Sequence, residues 1–438
     1  MLRHSLTLKL FVVGLLIVAL LVPVGLVTYM VSEREERRTE AVAEVSASWS
    51  GSQQVSGPVL IVPVRLTDKD KDGKPYFRTV LTTHLPESLS LDGTVDTERR
   101  RRGIYDAVVY SAALSAVGTF LPPDLEPLAL GGEPLWDQAL VALGLSDLRG
   151  VREAVVVRLD QKGLSLEPGA AGAAQLGSAL SARVPRELLV GRTKPIPFSF
   201  KLSLKGSQSL YFLPLGKTTE VSLASSWDSP SFRGAFLPDS REVRSDGFLA
   251  RWKVLHINRD FPQSWAGERD SLGGARFGVD LLVMVDHYAR TMRAVKYAVL
   301  FIFFTFLAFF FIEFFGEKRL HPIQYLLVGS GVVLFYLLLL SLSEHVAFHW
   351  AYLAATLGIG AVITGYSHGV FRRGRVTATV AAVLGVLYAF LYALLCLEDY
   401  ALLLGSAVLL GVLAAVMYMT RRVDWYDSEA LVPPPSAL

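Results

Sequence analysis

The sequence predicts an α-helical membrane protein of six spans, one N-terminal and five C-terminal, with a large mainly-β extracytoplasmic domain between the first span and the second. Three observations predict it. Uninterrupted apolar runs stand at both ends of the chain, one at the start and five in the last third. The long stretch between them changes texture, to short β-branched segments punctuated by Gly and Pro. Lys and Arg gather in alternate short loops between the runs, which gives the array a direction.

The first run is Leu8 to Met30, almost free of charge after Lys9. The others are Tyr297 to Ile312, Tyr325 to Leu342, Phe348 to Tyr366, Thr377 to Leu397 and Ala401 to Met419. Each is near the ~20 residues that carry a helix across a ~30 Å hydrocarbon core. There only a helix or a closed barrel satisfies its own backbone groups, and these runs lack the alternation of barrel strands. They explain a chain that is 52% hydrophobic with a mean hydropathy of +0.40, above the usual soluble composition. A buried soluble helix is the alternative for any single run; six runs with charged punctuation speak against it. The first run starts with basic residues as a signal peptide does. It exceeds the usual signal core, however, and its exit, Val27-Thr28-Tyr29-Met30-Val31, offers no small-x-small cleavage site. It reads as an uncleaved signal anchor.

Arg3 and Lys9 precede the first span, Lys318 and Arg319 lie between the second and third, Arg372, Arg373 and Arg375 between the fourth and fifth, and Arg421 and Arg422 after the sixth. The opposite short loops hold Ser343-Glu344-His345 and Glu398-Asp399, without Lys or Arg. The positive-inside rule then puts both termini in the cytoplasm and the large domain outside it. The net charge of +3 reflects these loops rather than a basic face, so nucleic acid is excluded as a partner. The single cysteine, Cys396, permits no intramolecular disulfide and reads as packing.

This divides the chain into a signal-anchor helix (residues 1–31), an extracytoplasmic mainly-β domain (32–293), a five-helix bundle (294–420) and a cytoplasmic tail (421–438). Ser32 to Ala47 reads as the first helix continued into water, or as a juxtamembrane connector. Beyond it, Val59-Leu60-Ile61-Val62-Pro63-Val64 and Ala154-Val155-Val156-Val157-Arg158-Leu159 are strand-like. Phe198, Phe200, Leu202 and Leu204 alternate with Ser199, Lys201 and Ser203, as in a half-buried antiparallel strand. Tyr211-Phe212-Leu213 and Glu220-Val221-Ser222-Leu223 follow at hairpin spacing around Gly216-Lys217. A sandwich or open barrel is expected, with a possible division into two lobes between Gly163 and Pro185.

Several motifs point to chemistry and are weighed against plainer readings. Asp68-Lys69-Asp70-Lys71-Asp72-Gly73 opens like a calcium loop, but the twelfth position is Thr79 rather than Glu; a solvated hairpin turn fits better. Gly365-Tyr366-Ser367-His368-Gly369 matches the serine-hydrolase elbow only as a string, since it follows an apolar helix rather than a strand. Glu344, His345 and His349, with Glu398 and Asp399 on the same side, could ligate a divalent metal, with His345 and His349 sharing a helix face, or form a polar rim. Glu313 is an ionisable group at the edge of the second span, a functional candidate by default; snorkelling, or an ion pair with Lys318 or Arg319, is the alternative. Arg99 to Arg102 could touch anionic headgroups or form a solvated turn before Ile104-Tyr105. Gly329 and Gly331, with Gly358, Gly360 and Gly365, suit close helix packing.

Longer strings carry a resemblance. Arg319-Leu320-His321-Pro322-Ile323-Gln324-Tyr325-Leu326-Leu327-Val328-Gly329, the Phe335 to Leu340 run and Leu342-Ser343-Glu344-His345 resemble the CreD family of inner-membrane proteins, also named for colicin tolerance. So do Gly57-Pro58, Leu85-Pro86-Glu87-Ser88-Leu89, Arg102-Gly103-Ile104-Tyr105, the stretch Ser226 to Pro238, Arg241-Glu242-Val243 and Asp424-Trp425-Tyr426-Asp427. The resemblance is collinear along the chain. It implies a Gram-negative inner-membrane location, a periplasmic domain, and a link to envelope integrity and, in several bacteria, to a two-component regulatory system. It implies no reaction and no cofactor. Ser367 and His349 are not parts of the family pattern; Glu344 and His345 are.

Three functions follow for testing. The first is a non-enzymatic envelope protein whose outer domain binds a protein, lipid or glycan. The second is a transporter or lipid-handling permease using the membrane-edge carboxylates. The third is a membrane enzyme with an outward metal site. The first is preferred, because the domain shows no recognisable nucleophile, metal box or nucleotide loop. Glu313, His321, Glu344 and His345 are the candidate functional polar residues.

Overall fold

Helix α1 (Leu6–Trp49) runs for 44 residues, so the polar segment after Met30 continues the first helix rather than forming a separate connector. The computed structural model describes residues 6–69, 72, 74–128, 131–169, 176–269, 272–281, 287–315, 318–397 and 400–421. The contacts fall into two units, Met1–Arg38 with Val285–Leu438, and Thr39–Met284.

The first unit is helical. It adds α2 (His287–Lys296), α3 (Ala298–Phe314), α4 (Pro322–Ser343), α5 (Phe348–Phe371), α6 (Gly374–Cys396) and α7 (Ala401–Thr420). Among the described residues five helices are long and apolar enough to cross a membrane, and α2 with α3, bent by 47°, would make a sixth. The bend has a compositional cause. The 17 residues of α3 span only ~25 Å at 1.5 Å per residue, and α2, with Arg290, Arg293 and Lys296, is too polar to extend the span straight.

Helix α4 packs against α3 and α5, and α5 against α6. The Phe335 ring lies 4.8 Å from Tyr388 and 5.4 Å from Tyr352. Gly329 suits close packing, since a Cβ there would lie 2.2 Å from the Leu20 side chain and 2.9 Å from the Phe306 ring, and these would have to shift. The same explanation fails for Gly358, Gly360 and Gly365, which have nothing within 4 Å of a Cβ position.

The second unit holds two sheets, of ten and eight strands among the described residues. Seven strands of the first run Pro230–Gly234, Phe277–Leu281, Ser209–Phe212, Gln53–Lys69, Leu140–Leu145, Ser178–Arg183, Glu167–Pro168, while Pro75–His84 and Glu133–Pro134 pair with Gln53–Lys69, and Ser264–Ala266 with Pro75–His84. The second runs Ser240–Arg244, Gly247–Leu255, Thr218–Ser225, Ser88–Arg102, Tyr105–Phe120, Ile196–Ser207, Val156–Leu159, Lys162–Ser165. Their facing sides share one core, which includes Leu60, Val62, Phe198, Phe200, Leu202, Leu204 and Trp252. The alternation read in Ile196–Ser207 is therefore the core-facing side of that strand.

Val59 and Ile61 point the other way, into a second cluster with Leu213, Leu215, Phe261 and Trp265. Burial on both faces is why Val59 to Val64 reads as a continuous apolar run rather than an alternating one. The far side of the second sheet is solvated. There the register sets Arg251, Ser222, Asp92, Ser115 and Lys201 in one row across five strands.

Three sequence expectations for this unit are corrected. Tyr211-Phe212-Leu213 and Glu220 to Leu223 do not form a hairpin: Ser209–Phe212 pairs in parallel with Gln53–Val55 in the first sheet, and Thr218–Ser225 pairs in parallel with Ser88–Val95 in the second. The chain crosses between sheets because buried Leu213 and Leu215 seat in the second cluster on either side of Pro214. No division falls between Gly163 and Pro185, because Ser178–Arg183 pairs with Leu140–Leu145 inside the first sheet.

Arg99 to Arg102 are not a solvated turn. They end the strand Ser88–Arg102, and each has a partner. Arg99 lies 5.0 Å over Trp227 and Arg100 4.1 Å over Trp49. Arg101 bonds Asp106 at 2.9 Å, and Arg102 pairs with Glu44. Trp49 also has Lys205 at 4.3 Å from its ring, so cations flank the last helical residue of α1. The hairpin reading of Asp68 agrees with its position opposite Tyr76 and its 3.2 Å pair with Arg78; Asp70, Lys71 and Gly73 lie outside the described residues.

His84, 6% exposed, lies 3.0 Å from the Thr82 hydroxyl. Burial pushes its pKa down to about 4, partly opposed by Asp124. A histidine whose folded pKa is depressed contributes stability above its unfolded value, ~6.5, and loses it as pH falls to about 4. The loss is on the order of 3 kcal/mol. Asp147, held well below the usual carboxylate range chiefly by its hydrogen bond from Arg149, acts only below about pH 4. His84→Gln should therefore flatten the stability of this unit between about pH 6.5 and 4, followed by far-UV circular dichroism. An unchanged slope would reject this role for His84.

Candidate functional site

The candidate polar residues gather at the two ends of the apolar stretch of α1, which carries Lys9 near its start and Arg34 just beyond it. Twenty-five residues at 1.5 Å each separate these cations by ~37 Å, a little more than a hydrocarbon core. At the Lys9 end, Glu313 sits in the last turn of α3 with its side chain 8% exposed. Lys9 Nζ donates to Glu313 Oε1, and the Tyr325 hydroxyl donates to Oε2 at 2.9 Å. Lys9 also reaches the Leu320 carbonyl at 3.4 Å. Tyr325 is 1% exposed and held edge-on by Phe306 at 5.5 Å.

The expected partners of Glu313, Lys318 and Arg319, are thus replaced by a residue from the first helix; Lys318 bonds the Val370 carbonyl at 2.9 Å. His321 caps α4. Its Nδ1 accepts from the Ile323 amide at 3.3 Å, while its own amide donates to Gln324 Oε1 at 2.9 Å, and Pro322 opens the helix. This capping box explains the His-Pro-x-Gln string locally.

The Arg34 end follows the same plan. Glu344, at the C-cap of α4, has its side chain 9% exposed. The Tyr288 hydroxyl of α2 donates to Oε1 at 3.0 Å, and Arg34 lies 3.7 Å from Oε2. Each end thus presents a nearly buried carboxylate, a cation from α1 and a tyrosine hydroxyl. At the Lys9 end a charge-assisted hydrogen bond, stronger than a neutral one, joins α1 to α3, and at the Arg34 end a 3.7 Å ion pair joins it to α4. Of these groups Lys9, Arg34, Tyr288 and Tyr325 were not among the candidate functional residues read from the sequence. The available signal was a cation at each end of an apolar helix, which snorkelling explains equally well.

The metal reading loses its geometry. His345 is exposed in the turn after α4, and His349 is exposed in the first turn of α5. The two do not share a helix face, because the chain turns at Val346-Ala347 between them. Among the described residues no group of three His, Cys, Asp or Glu is placed to hold a metal; Glu398 and Asp399 lie outside them. Ser367 is 1% exposed inside α5 and donates to the Ile363 carbonyl at 2.8 Å, so the hydrolase string has no elbow. In the β unit the Ser226 to Pro238 stretch seats Phe232 edge-on against Phe248 and Trp252, at 5.6 Å and 5.7 Å, and pairs Arg233 with Asp280 at 3.2 Å.

The family model described as Inner membrane protein CreD matches residues 5–426. The chain is 35% identical over 416 residues to the Inner membrane protein CreD of Escherichia coli (strain K12), covering 94% of this chain and 91% of that one. Both carboxylates, their α1 cations and their tyrosines lie within the matched region. A lone apolar first helix, four long apolar helices after a two-sheet domain, and a match along nearly the whole length agree: this chain belongs to the CreD family of inner membrane proteins.

Proposed function

We propose that this protein supports cell-envelope integrity by non-enzymatic binding through its β domain. The first helix serves as an uncleaved signal anchor, both termini are cytoplasmic and the β domain is periplasmic. The observation that carries the reading is the engagement of the two candidate carboxylates of the bundle, Glu313 and Glu344. Glu313 and Glu344 are each taken up by a cation and a tyrosine, which suits a scaffold better than an ion or proton path. The β domain, in contrast, offers the solvated row Arg251, Ser222, Asp92, Ser115 and Lys201, with short side chains at its centre. The partner is an envelope protein, lipid or glycan, and the family's link to a two-component system makes a regulatory partner one outcome of the search.

The test is cross-linking from the row in gently solubilised membranes. Wild-type protein should capture a periplasmic-side component, and Asp92→Arg with Ser115→Trp should lose it while keeping the fold, because solvated substitutions cost ~0.5 kcal/mol or less. Capture of nothing, or equal capture by the variant, counts against the reading. Glu313→Gln and Glu344→Gln address the permease alternative. Envelope sensitivity like wild type in both fits a scaffold, and loss of resistance in a stably inserted variant favours transport.

A further inference from the structure

Helix α2 differs from the spans it adjoins. Its ten residues hold Arg290, Arg293 and Lys296 and no carboxylate. Its buried side, Tyr288, Thr291, Ala294 and Val295, packs on α3, α4 and α6. Its level in the unit is marked twice. Tyr288 bonds Glu344 at the end of α4, and the Arg290 guanidinium lies 5.7 Å over Phe348 at the start of α5. At that same end Trp350 and Tyr400 are 61% and 62% exposed, as aromatic side chains are at a membrane–water interface. The cations of α2 therefore stand at headgroup height.

Below them, α3 and α7 leave a gap of about 500 Å³ between Phe303, Phe304 and Leu307 on one side and Leu409, Leu413 and Val416 on the other. Seven to eleven residues of helix separate Lys296 from that α3 wall, ~10–16 Å, which is the depth of one leaflet's hydrocarbon. None of the described residues of α7 is buried, so the gap is open to the bilayer.

We propose that α2, α3 and α7 form a binding site for an anionic phospholipid, with the phosphate on Arg290, Arg293 and Lys296 and an acyl chain between α3 and α7. Basic interfacial helices attract anionic headgroups, and the apolar slot beneath converts a surface attraction into a seat for one molecule. The inference stands on the membrane embedding of the helical unit, whichever leaflet this is, and does not require the binding role of the β domain.

The test is lipid retention by the full chain purified in mild detergent, with phospholipids quantified by mass spectrometry. About one anionic phospholipid per chain should be retained over zwitterionic phospholipid. It should be stripped from wild type near ~1 M salt, where the screening length is ~3 Å. R290Q/R293Q/K296Q should weaken retention on the order of a hundredfold, while R290K/R293K keeps it. L413W, which fills the slot and leaves the cations in place, should also lose it, so the proposal stays testable if the neutralised variant fails to fold. Equal retention of zwitterionic phospholipid, salt-independent retention, or full retention by L413W would overturn the proposal. So would displacement of the lipid by millimolar inorganic phosphate alone, which would mark a simple ion site.

Discussion

Lys9→Met is expected to destabilise the helical unit by ~3 kcal/mol, and the double variant Lys9→Met with Glu313→Leu to restore most of that loss. The asymmetry follows from the geometry. Removing Lys9 leaves the Glu313 carboxylate, 8% exposed, with the Tyr325 hydroxyl as its remaining donor among the described residues. A carboxylate on a short stem at the end of α3 reaches water poorly. Removing Glu313 instead leaves an ammonium on a four-carbon stem that can snorkel, so Glu313→Gln should cost less, about 1–2 kcal/mol. Replacing both partners removes the desolvated charges together. Thermal unfolding in detergent, followed by loss of monodisperse protein, gives the four values of the cycle. Additive losses would mean that the two side chains are not coupled and that this end of α1 is held by apolar packing.

Trp252→Ala is expected to cost the β domain ~3–5 kcal/mol, and to act on its core rather than on one sheet. Trp252 is 2% exposed. Its ring lies 5.7 Å from Phe232 and 5.8 Å from Phe277, so a strand of the second sheet meets two strands of the first through it. Truncation leaves a cavity lined by rigid aromatic rings that cannot collapse far. Trp252→Phe keeps most of the ring contact and removes an indole N–H that has no hydrogen-bond partner among the described residues, so it should cost much less. Chemical denaturation followed by circular dichroism separates the two variants; equal losses would show that the ring is not the link between the sheets.

The parts legible in the sequence were those set by local properties. Hydropathy summed over ~20 residues marks a span whatever it packs against, and the alternation in Ile196–Ser207 marks a core-facing side whichever strand pairs with it. Glu313 and Glu344 were legible as polar groups at the edges of apolar runs. The hairpin expected around Gly216-Lys217 was wrong because the same spacing serves strands in one sheet or in two; buried Leu213 and Leu215 decided between them. Helix α2 stayed hidden because it is short and amphipathic, and its cations mask its buried face.

Composition and order along the chain were therefore enough for the membrane class, the lone first helix, the β texture between the spans and the family. Each rests on sums or patterns over neighbouring residues, which folding does not rearrange. The partners belong to the tertiary structure. Lys9 and Glu313 are 304 residues apart, and nothing within a window around either one names the other. Their meeting depends on α1 lying against α3 and α4, a packing choice that Gly329 permits through its missing Cβ. Close approach of surfaces, rather than any property of one segment, is the physical reason that the carboxylates became clamps on α1.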